Sequence, residues 1–399
     1  MRVLVLSPSY PRSETDTRVA FVRAFVKELT KEKNIDVEIV TSSAPDSAPL
    51  FQVMDKAKIY RFNYFFPRSM QRLTYTPSGG MLESFRTSVL AKLQAPLFLK
   101  FFFWKALKHA KRCDVIHAQW LLSGFVGVFL KKLYKKPLIC EVRGADLRSM
   151  PAWFIRFTLK HADHVISWTP EMTDLLHKHG RTRNIHDIKG MIDFEKLESA
   201  SGVETFKKEV NPGGKFLVTF LGRMVYMKNP LAFIRAIPYV VAKDKNVQFI
   251  MAGDGALVPD AWKLAEKLGV KERVTILGPR SDVNAILRNT DVFVGLSPLC
   301  HTYSATIMEA MYLGVPCVLD TPPYTREAFT HKKYAYLVPS DDPKKLAEAI
   351  LLVKNDKKLR ETLSQNGPTL VKSLGFEKKE IIRKTVELYK KAITEARQS

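Results

Sequence analysis

Short apolar runs alternate with longer amphipathic stretches along almost the whole chain, and this alternation limits the fold more than any other feature. Val3–Leu6, Val37–Thr41, Val115–His117, Pro137–Val142 and His164–Trp168 read as strands, with Val19–Lys31 and Leu121–Tyr134 as helices between them. Strands separated by helices imply right-handed crossovers and a parallel sheet. The rhythm breaks at 198–214, where Ser199-Ala-Ser-Gly202 and Asn211-Pro-Gly-Gly214 bracket one polar turn of helix. It then restarts with Phe216–Leu221, Val247–Met251, Val274–Leu277, Val292–Leu296 and Val315–Leu319. The pattern predicts an α/β chain of two Rossmann-like, doubly wound parallel-sheet domains facing a cleft. These span 1–197 and 215–376, with a linker at 198–214. Glu377–Ala396 reads as a charged amphipathic helix that packs back on the first domain.

The length of 399 residues suits two domains, and 46% apolar residues can fill two cores. Cys113, Cys140, Cys300 and Cys317 lie far apart, with no CxxC pair and no zinc-ligand spacing. Buried thiols in a reducing compartment are the simple reading. The first residues are too short an apolar run for a signal peptide, since Pro8 and Pro11 follow. No stretch of about 20 apolar residues occurs, so no spanning helix is expected. The net charge of +23 asks for anionic partners: nucleic acid, an anionic membrane surface or phosphorylated ligands. Residues 1–200 hold 32 Lys+Arg against 19 Asp+Glu, and the remainder is also basic, so charge alone does not choose among them.

In the second half, Leu221-Gly222-Arg223 runs through Lys228 to Pro230, between a strand and a helix. Gly222 permits a tight exit, and Arg223 and Lys228 bring two cations to one strand end. That suits a diphosphate, and a solvated basic turn is the plainer alternative. Further on, a helix starting near Ser304 and stopping at Gly314 would offer the free amides of Ser304, Ala305 and Thr306 to an anion. Glu309 lies one turn further in, where a carboxylate can accept from a ribose diol. Ala252-Gly253-Asp254-Gly255 resembles part of a dinucleotide fingerprint but has Val258 where the third glycine would stand. It reads as a turn.

Taken together, Gly222-Arg223, Gly253-Asp254-Gly255, Leu277-Gly278 and Glu309-Ala-Met with Gly314-Val-Pro316 resemble the donor domain of family 4 glycosyltransferases (glycosyl transferases group 1), retaining enzymes of the GT-B fold. The resemblance implies that Arg223 and Lys228 grip a donor diphosphate and that 304–306 assist. It implies that Glu309 holds the ribose and that Pro279 and Arg280 lie near the base. The family's Glu-x7-Glu pattern has His301 in place of its first glutamate. His301 then either replaces that contact to the sugar or the contact is lost.

In the first half, Asp114-Val-Ile-His117-Ala-Gln-Trp120 resembles the corresponding stretch of these transferases, and the next strand exits through Glu141-Val-Arg143-Gly144-Ala-Asp146. Many relatives carry a His where Arg143 stands. A guanidinium cannot act as general base but can stabilise phosphate charge, and an ion pair with Asp146 or Glu141 is its structural alternative. The resemblance implies that the leaving diphosphate takes the acceptor proton while Arg143, Arg223 and Lys228 supply catalytic cations. No metal and no cofactor beyond the nucleotide diphosphate sugar is then needed. Tyr10 and Arg12, in the loop after the first strand, and His117 and Trp120 are the expected acceptor contacts.

Residues 56–112 hold 12 Lys+Arg, one acidic residue (Glu83) and 12 aromatics. An interfacial segment on an anionic leaflet, a single-stranded nucleic acid surface, or a core-facing helix with a basic outer face would each give this texture. The resemblance favours the membrane, because many relatives glycosylate lipids. The expectation is a cytoplasmic hexosyltransferase, peripheral at the inner face of the membrane. It would use a nucleotide sugar and a lipid-linked or glycan acceptor, and no nucleic acid. The rivals are a sugar-nucleotide epimerase of the same fold and a catalytically silent nucleotide-binding protein.

Overall fold

A computed structural model of the chain describes residues 1–398 except 15, 17, 46–47, 76–80, 82–83, 86–87, 212, 298–302 and 340. The chain divides into two compact units, Met1–Met191 with Lys378–Ser399, and Ile192–Glu377.

The sheet of the first unit contains β1 (Arg2–Leu6), β2 (Asp36–Ser42), β3 (Phe51–Met54), β4 (Ala57–Phe62), β5 (Val115–Gln119), β6 (Leu138–Glu141), β7 (His164–Ser167) and β8 (Ile185–Asp187). Their order is β3-β4-β2-β1-β5-β6-β7-β8. Every neighbouring pair is parallel except the β3–β4 hairpin, whose turn residues Asp55 and Lys56 both take positive φ (51° and 65°). Helices cover both faces, as a parallel sheet requires. One core holds Phe98, Phe102, Leu130 and Leu159, and the other holds Val22, Val26, Leu388 and Tyr389. The last two lie on the C-terminal helix Lys378–Gln398, which belongs to this unit.

The second sheet contains β9 (Phe216–Leu221), β10 (Val247–Ala252), β11 (Val274–Ile276), β12 (Val292–Gly295), β13 (Cys317–Asp320) and β14 (Tyr336–Val338). Its order, β11-β10-β9-β12-β13-β14, is parallel throughout and is the nucleotide-binding order 3-2-1-4-5-6. The connections reverse direction between β9 and β12, which places the ligand crevice of such a sheet beyond the carboxyl ends of those two strands.

Residues 198–214 are not an open linker. They carry the helix Val203–Val210, whose Phe206 is buried in the second core. Asn284 donates to the carbonyls of Ser199 and Ser201 (2.9 and 3.0 Å), and Asn289 to that of Val203 (3.0 Å). One aromatic anchor and two side-chain amides, Asn284 buried and Asn289 half-buried, therefore fix a segment that is polar in composition. The units meet in sequence at 191/192 and 377/378 instead. Cys113, Cys140 and Cys317 are buried free thiols, and Cys300 lies outside the described residues.

Candidate active site

In the second unit, the loops after β9, β10 and β11 are tied together by backbone. Gly222 N–H donates to Ala252 O (2.9 Å), Met224 N–H to Asp254 O (2.7 Å), Leu257 N–H to Met224 O (2.9 Å) and Gly253 N–H to Gly278 O (2.8 Å). A Cβ on Gly253 (φ 140°) would overlap the Gly222 carbonyl oxygen, and one on Gly255 (φ 149°) the Met224 carbonyl. The glycines at 253 and 255 thus serve close approach of two loops. The reading of this stretch as a turn agrees with its position after β10.

This brace holds the loop that presents Arg223, which is exposed, and Lys228, which is half-buried. Lys228 Nζ donates to Ser297 Oγ (2.8 Å) just beyond β12 and to Ser304 Oγ (3.4 Å). Ser297 N–H donates in turn to Asp320 Oδ2 (2.8 Å) at the end of β13. Burial pushes the Asp320 carboxyl up to about 6, against the lowering influence of that bond and of Lys228. The helix Ala305–Tyr312 starts here with no side-chain cap, so its first N–H groups remain as donors at its positive end. Glu309 is half-buried on the same helix, among buried Ile307, Met308, Ala310 and Met311. Burial raises its carboxyl to about 7, Lys196 offsetting a part and Asp193 adding to it. Among the described residues no donor reaches the Glu309 carboxylate. The arrangement can accept an anion at the helix start and a diol at the carboxylate.

The structure thus gathers Gly222, Lys228, Ser304, Ala305, Thr306 and Glu309 at the switch point of the second sheet. Arg280 is committed elsewhere, to Asp282 (2.7 Å) and Glu209 (3.2 Å), with its guanidinium 5.6 Å from the Phe206 ring. Pro279 beside it is exposed, and His301 lies outside the described residues. Ser297 and Asp320 escape a sequence reading. Their only signal is that each stands directly after a buried apolar strand run.

In the first unit, β5, β6 and β7 deliver one buried network. Glu141 accepts from Gln119 Nε2 (2.7 Å), from His117 Nε2 (3.0 Å) and from Trp168 Nε1 (2.8 Å), and pairs with Arg143 Nη2 (2.8 Å). Burial raises the Glu141 carboxyl, but Arg143, His117 and Gln119 outweigh it and hold the group near about 2. Tyr389, from the C-terminal helix, bonds His117 Nδ1 (2.6 Å). With Tyr389 donating, the remaining proton of His117 sits on Nε2 and faces Glu141. Arg143 donates to Gln119 Oε1 (2.6 Å), and its guanidinium lies 3.6 Å from the Trp168 ring, 4.4 Å from Phe21 and 5.4 Å from Trp120. Burial pushes the Arg143 guanidinium down to about 10, although Glu141 and Asp146 work against it.

Of the two ion pairs open to Arg143, that with Glu141 forms. Asp146 instead accepts from the backbone N–H groups of Leu121 (2.8 Å), Arg143 (3.0 Å) and Leu147 (3.1 Å). His117 and Tyr10, expected to touch an acceptor, are completely buried, with Tyr10 inside an apolar core. The loop after β1 turns Tyr10 inward because Tyr75 bonds both its N–H (2.9 Å) and its carbonyl (2.5 Å). Arg12 is bound to Asp16 (2.8 Å). Trp120 remains half-buried, at φ 66°, a strained conformation for a bulky side chain and one that clusters at functional sites.

Two family models match the chain, the glycosyl transferase 4-like domain over residues 19–186 and the glycosyl transferases group 1 over residues 203–370. An Escherichia coli UDP-Gal:alpha-D-GlcNAc-diphosphoundecaprenol alpha-1,3-galactosyltransferase is 25% identical over 272 residues, 64% of this chain and 70% of that one. A Campylobacter jejuni alpha-1,4-N-acetyl-D-galactosaminyltransferase acting on an undecaprenol diphosphate-linked glycan is 28% identical over 293 residues, 71% and 77% of the two chains. Among solved structures, the Anabaena HepE protein in complex with UDP and glucose aligns over 98% of this chain and 100% of its own, with TM-score 0.76 and 18% identity. The fold is GT-B. The chain belongs to the group 1 glycosyltransferases.

Proposed function

We propose that the chain transfers a hexose from a nucleotide diphosphate sugar to a hydroxyl of a lipid-linked or glycan acceptor, with retention of anomeric configuration and without a metal, at the inner face of the membrane. The observation that carries this reading is the cluster at the second switch point. There Lys228, the uncapped start of the helix Ala305–Tyr312 and the acceptor-only Glu309 carboxylate stand together. Lys228, Arg223 and the amides of 305–306 bind the diphosphate, and Glu309 takes the ribose hydroxyls. In the transfer, the bond from the sugar's anomeric carbon to the diphosphate oxygen breaks and a bond to the acceptor oxygen forms. The acceptor proton passes to the leaving diphosphate, whose growing charge the same cations stabilise.

Two relatives act on undecaprenol diphosphate-linked glycans and a Streptococcus pneumoniae relative, 27% identical over 259 residues, is an alpha-monoglucosyldiacylglycerol synthase. These support a lipid-linked acceptor. The complex of HepE with UDP and glucose makes UDP-hexoses the first donors to test.

Thermal stabilisation by UDP, GDP, ADP and their sugar conjugates tests the reading, because a ligand that binds only the folded chain raises its apparent stability. One nucleotide family should raise Tm, and an Arg223→Ala, Lys228→Ala double variant should lose the shift. A folded wild-type chain that no nucleotide stabilises would refute the donor site. Stabilisation without turnover in the presence of a lipid extract would favour a silent binding protein.

A further inference from the structure

The helix Val89–Ala110 is apolar on both faces. Ala91, Phe98, Phe102, Ala106 and Ala110 are buried on one side. On the other, Val89 (72% exposed), Leu93 (69%), Leu97 (37%), Phe101 (42%) and Trp104 (63%) face outward. Successive members stand three or four residues apart, so they form one ridge roughly 20 Å long. A helix on the surface of a globular domain normally turns polar residues outward. Here the other exposed positions of the helix are Lys92, Pro96, Lys100 and, one turn past Trp104, Lys108. No acidic residue occurs from 84 to 113. The neighbouring helix Trp120–Tyr134 also has none, and it exposes Phe129 (40%) and Leu133 (57%) near Lys132 and Lys135.

The ridge begins at the functional end of the first sheet. The helix returns the chain from the carboxyl end of β4 to the start of β5, so Val89 lies toward the edge where β5 delivers Gln119 and Trp120. Gln94 fixes the preceding loop there: its Nε2 donates to Met70 O (2.8 Å) and its Oε1 accepts from Arg72 N–H (2.9 Å). That loop carries Phe66, 90% exposed, and Arg72.

We propose that this ridge is the surface on which the chain docks to an anionic lipid leaflet, with Leu93, Leu97, Phe101 and Trp104 entering the acyl boundary and the lysines meeting headgroup phosphates. The proposal deepens the reading of a membrane-bound acceptor and rests on it. Charge selects the occupant. A second copy of the chain would set lysines against lysines with no carboxylate between them. Only Phe101 and Trp104 of the ridge carry rings, while Val89, Leu93 and Leu97 offer a base nothing to stack on. Apolar side chains between lysines on one helix face match a leaflet that is apolar below and anionic at its surface.

The test is co-sedimentation with phosphatidylcholine vesicles, with and without phosphatidylglycerol. Three chains are compared: the wild type, a Leu93→Ser, Leu97→Ser, Trp104→Ser variant, and a Lys92→Gln, Lys100→Gln, Lys108→Gln variant. The substituted side chains are exposed, and an unchanged Tm confirms each fold. The wild type should bind the anionic vesicles and release with salt. Each variant should bind at least about tenfold more weakly, and the lysine variant should lose most of the salt dependence. Wild-type binding that neither variant weakens overturns the assignment to this helix while leaving the membrane acceptor standing. No wild-type binding to either vesicle, with nucleotide stabilisation intact, overturns the docking surface and moves the acceptor into solution. Self-association that the serine variant abolishes overturns it in favour of a second copy.

Discussion

Replacing Glu141 by Gln tests the buried network of the first unit. The side chain keeps its shape but cannot ionise, so Arg143 loses its counter-charge in a site where Glu141 is only 6% exposed. The folded carboxyl stands near about 2 against an ordinary 4.5. At 1.36 kcal/mol per pKa unit, that gap corresponds to about 3 kcal/mol of stability at neutral pH. The sign follows from its direction. A carboxyl held below its unfolded value gives stability that is complete above about pH 4.5 and is lost as pH falls towards 2. Wild type and Glu141→Gln should therefore differ by about 3 kcal/mol at pH 7 and converge between pH 4.5 and 2. Urea unfolding read by tryptophan fluorescence across that range measures it. Trp262 lies in the second unit and the other four tryptophans in the first, so both chains carry Trp262→Phe to report the first unit alone. Parallel stability curves through the acid range would refute the reasoning.

Three further outcomes are expected. The Glu309 carboxyl, raised to about 7 by burial, accepts most strongly from both hydroxyls of a ribose when ionised, so nucleotide affinity should rise as pH climbs through 7. Glu309→Gln should weaken binding about tenfold and flatten that profile, as calorimetric titration at pH 6 and 8 would show. Gly253→Ala should destabilise the second unit by about 3 kcal/mol, seen as a lower urea midpoint in the part of the fluorescence change that Trp262→Phe removes, because its Cβ has no room beside the Gly222 carbonyl. Tyr389→Phe should cost about 1–2 kcal/mol of first-unit stability and shift the imidazole nitrogen resonances of His117, whose Nδ1 loses its partner. An unchanged spectrum would dismiss the bond.

The alternation of strand and helix was legible because a parallel strand covered on both faces is a short continuous apolar run, as in Val3–Leu6 and Phe216–Leu221. The β3–β4 hairpin was not, since Asp55-Lys56 adopts a turn usually marked by glycine. The segment 198–214 misled because its composition is that of a linker, while a single aromatic, Phe206, decides that it packs. At the site, Lys228, Ser304 and Glu309 were legible because each stands at a fixed offset from a strand end or helix start. Tyr10 and His117 were placed at the correct strand ends, but which way a side chain turns depends on partners far along the chain. Tyr75 turns Tyr10 inward, and Tyr389, 272 residues away in sequence, closes over His117. The helix Val89–Ala110 shows the same limit in reverse. Its sequence allowed a core-facing helix with a basic outer face or an interfacial one, and only the burial pattern shows large apolar side chains on the outer face as well.

The two units treat buried charge in opposite ways. In the first unit every partner of Glu141 is protein: Gln119, His117, Trp168 and Arg143 fill its acceptor positions, and three aromatic rings surround the guanidinium. The bonds among these groups give the network rigidity, and Arg143 Nε is left as a buried donor without a hydrogen-bond partner among the described residues. In the second unit the ammonium of Lys228 is shared with two serine hydroxyls, the helix at 305 begins without a side-chain cap, and burial raises the Glu309 carboxyl. On the proposed donor site, a bound diphosphate would be met by Lys228, Arg223 and the start of the helix Ala305–Tyr312.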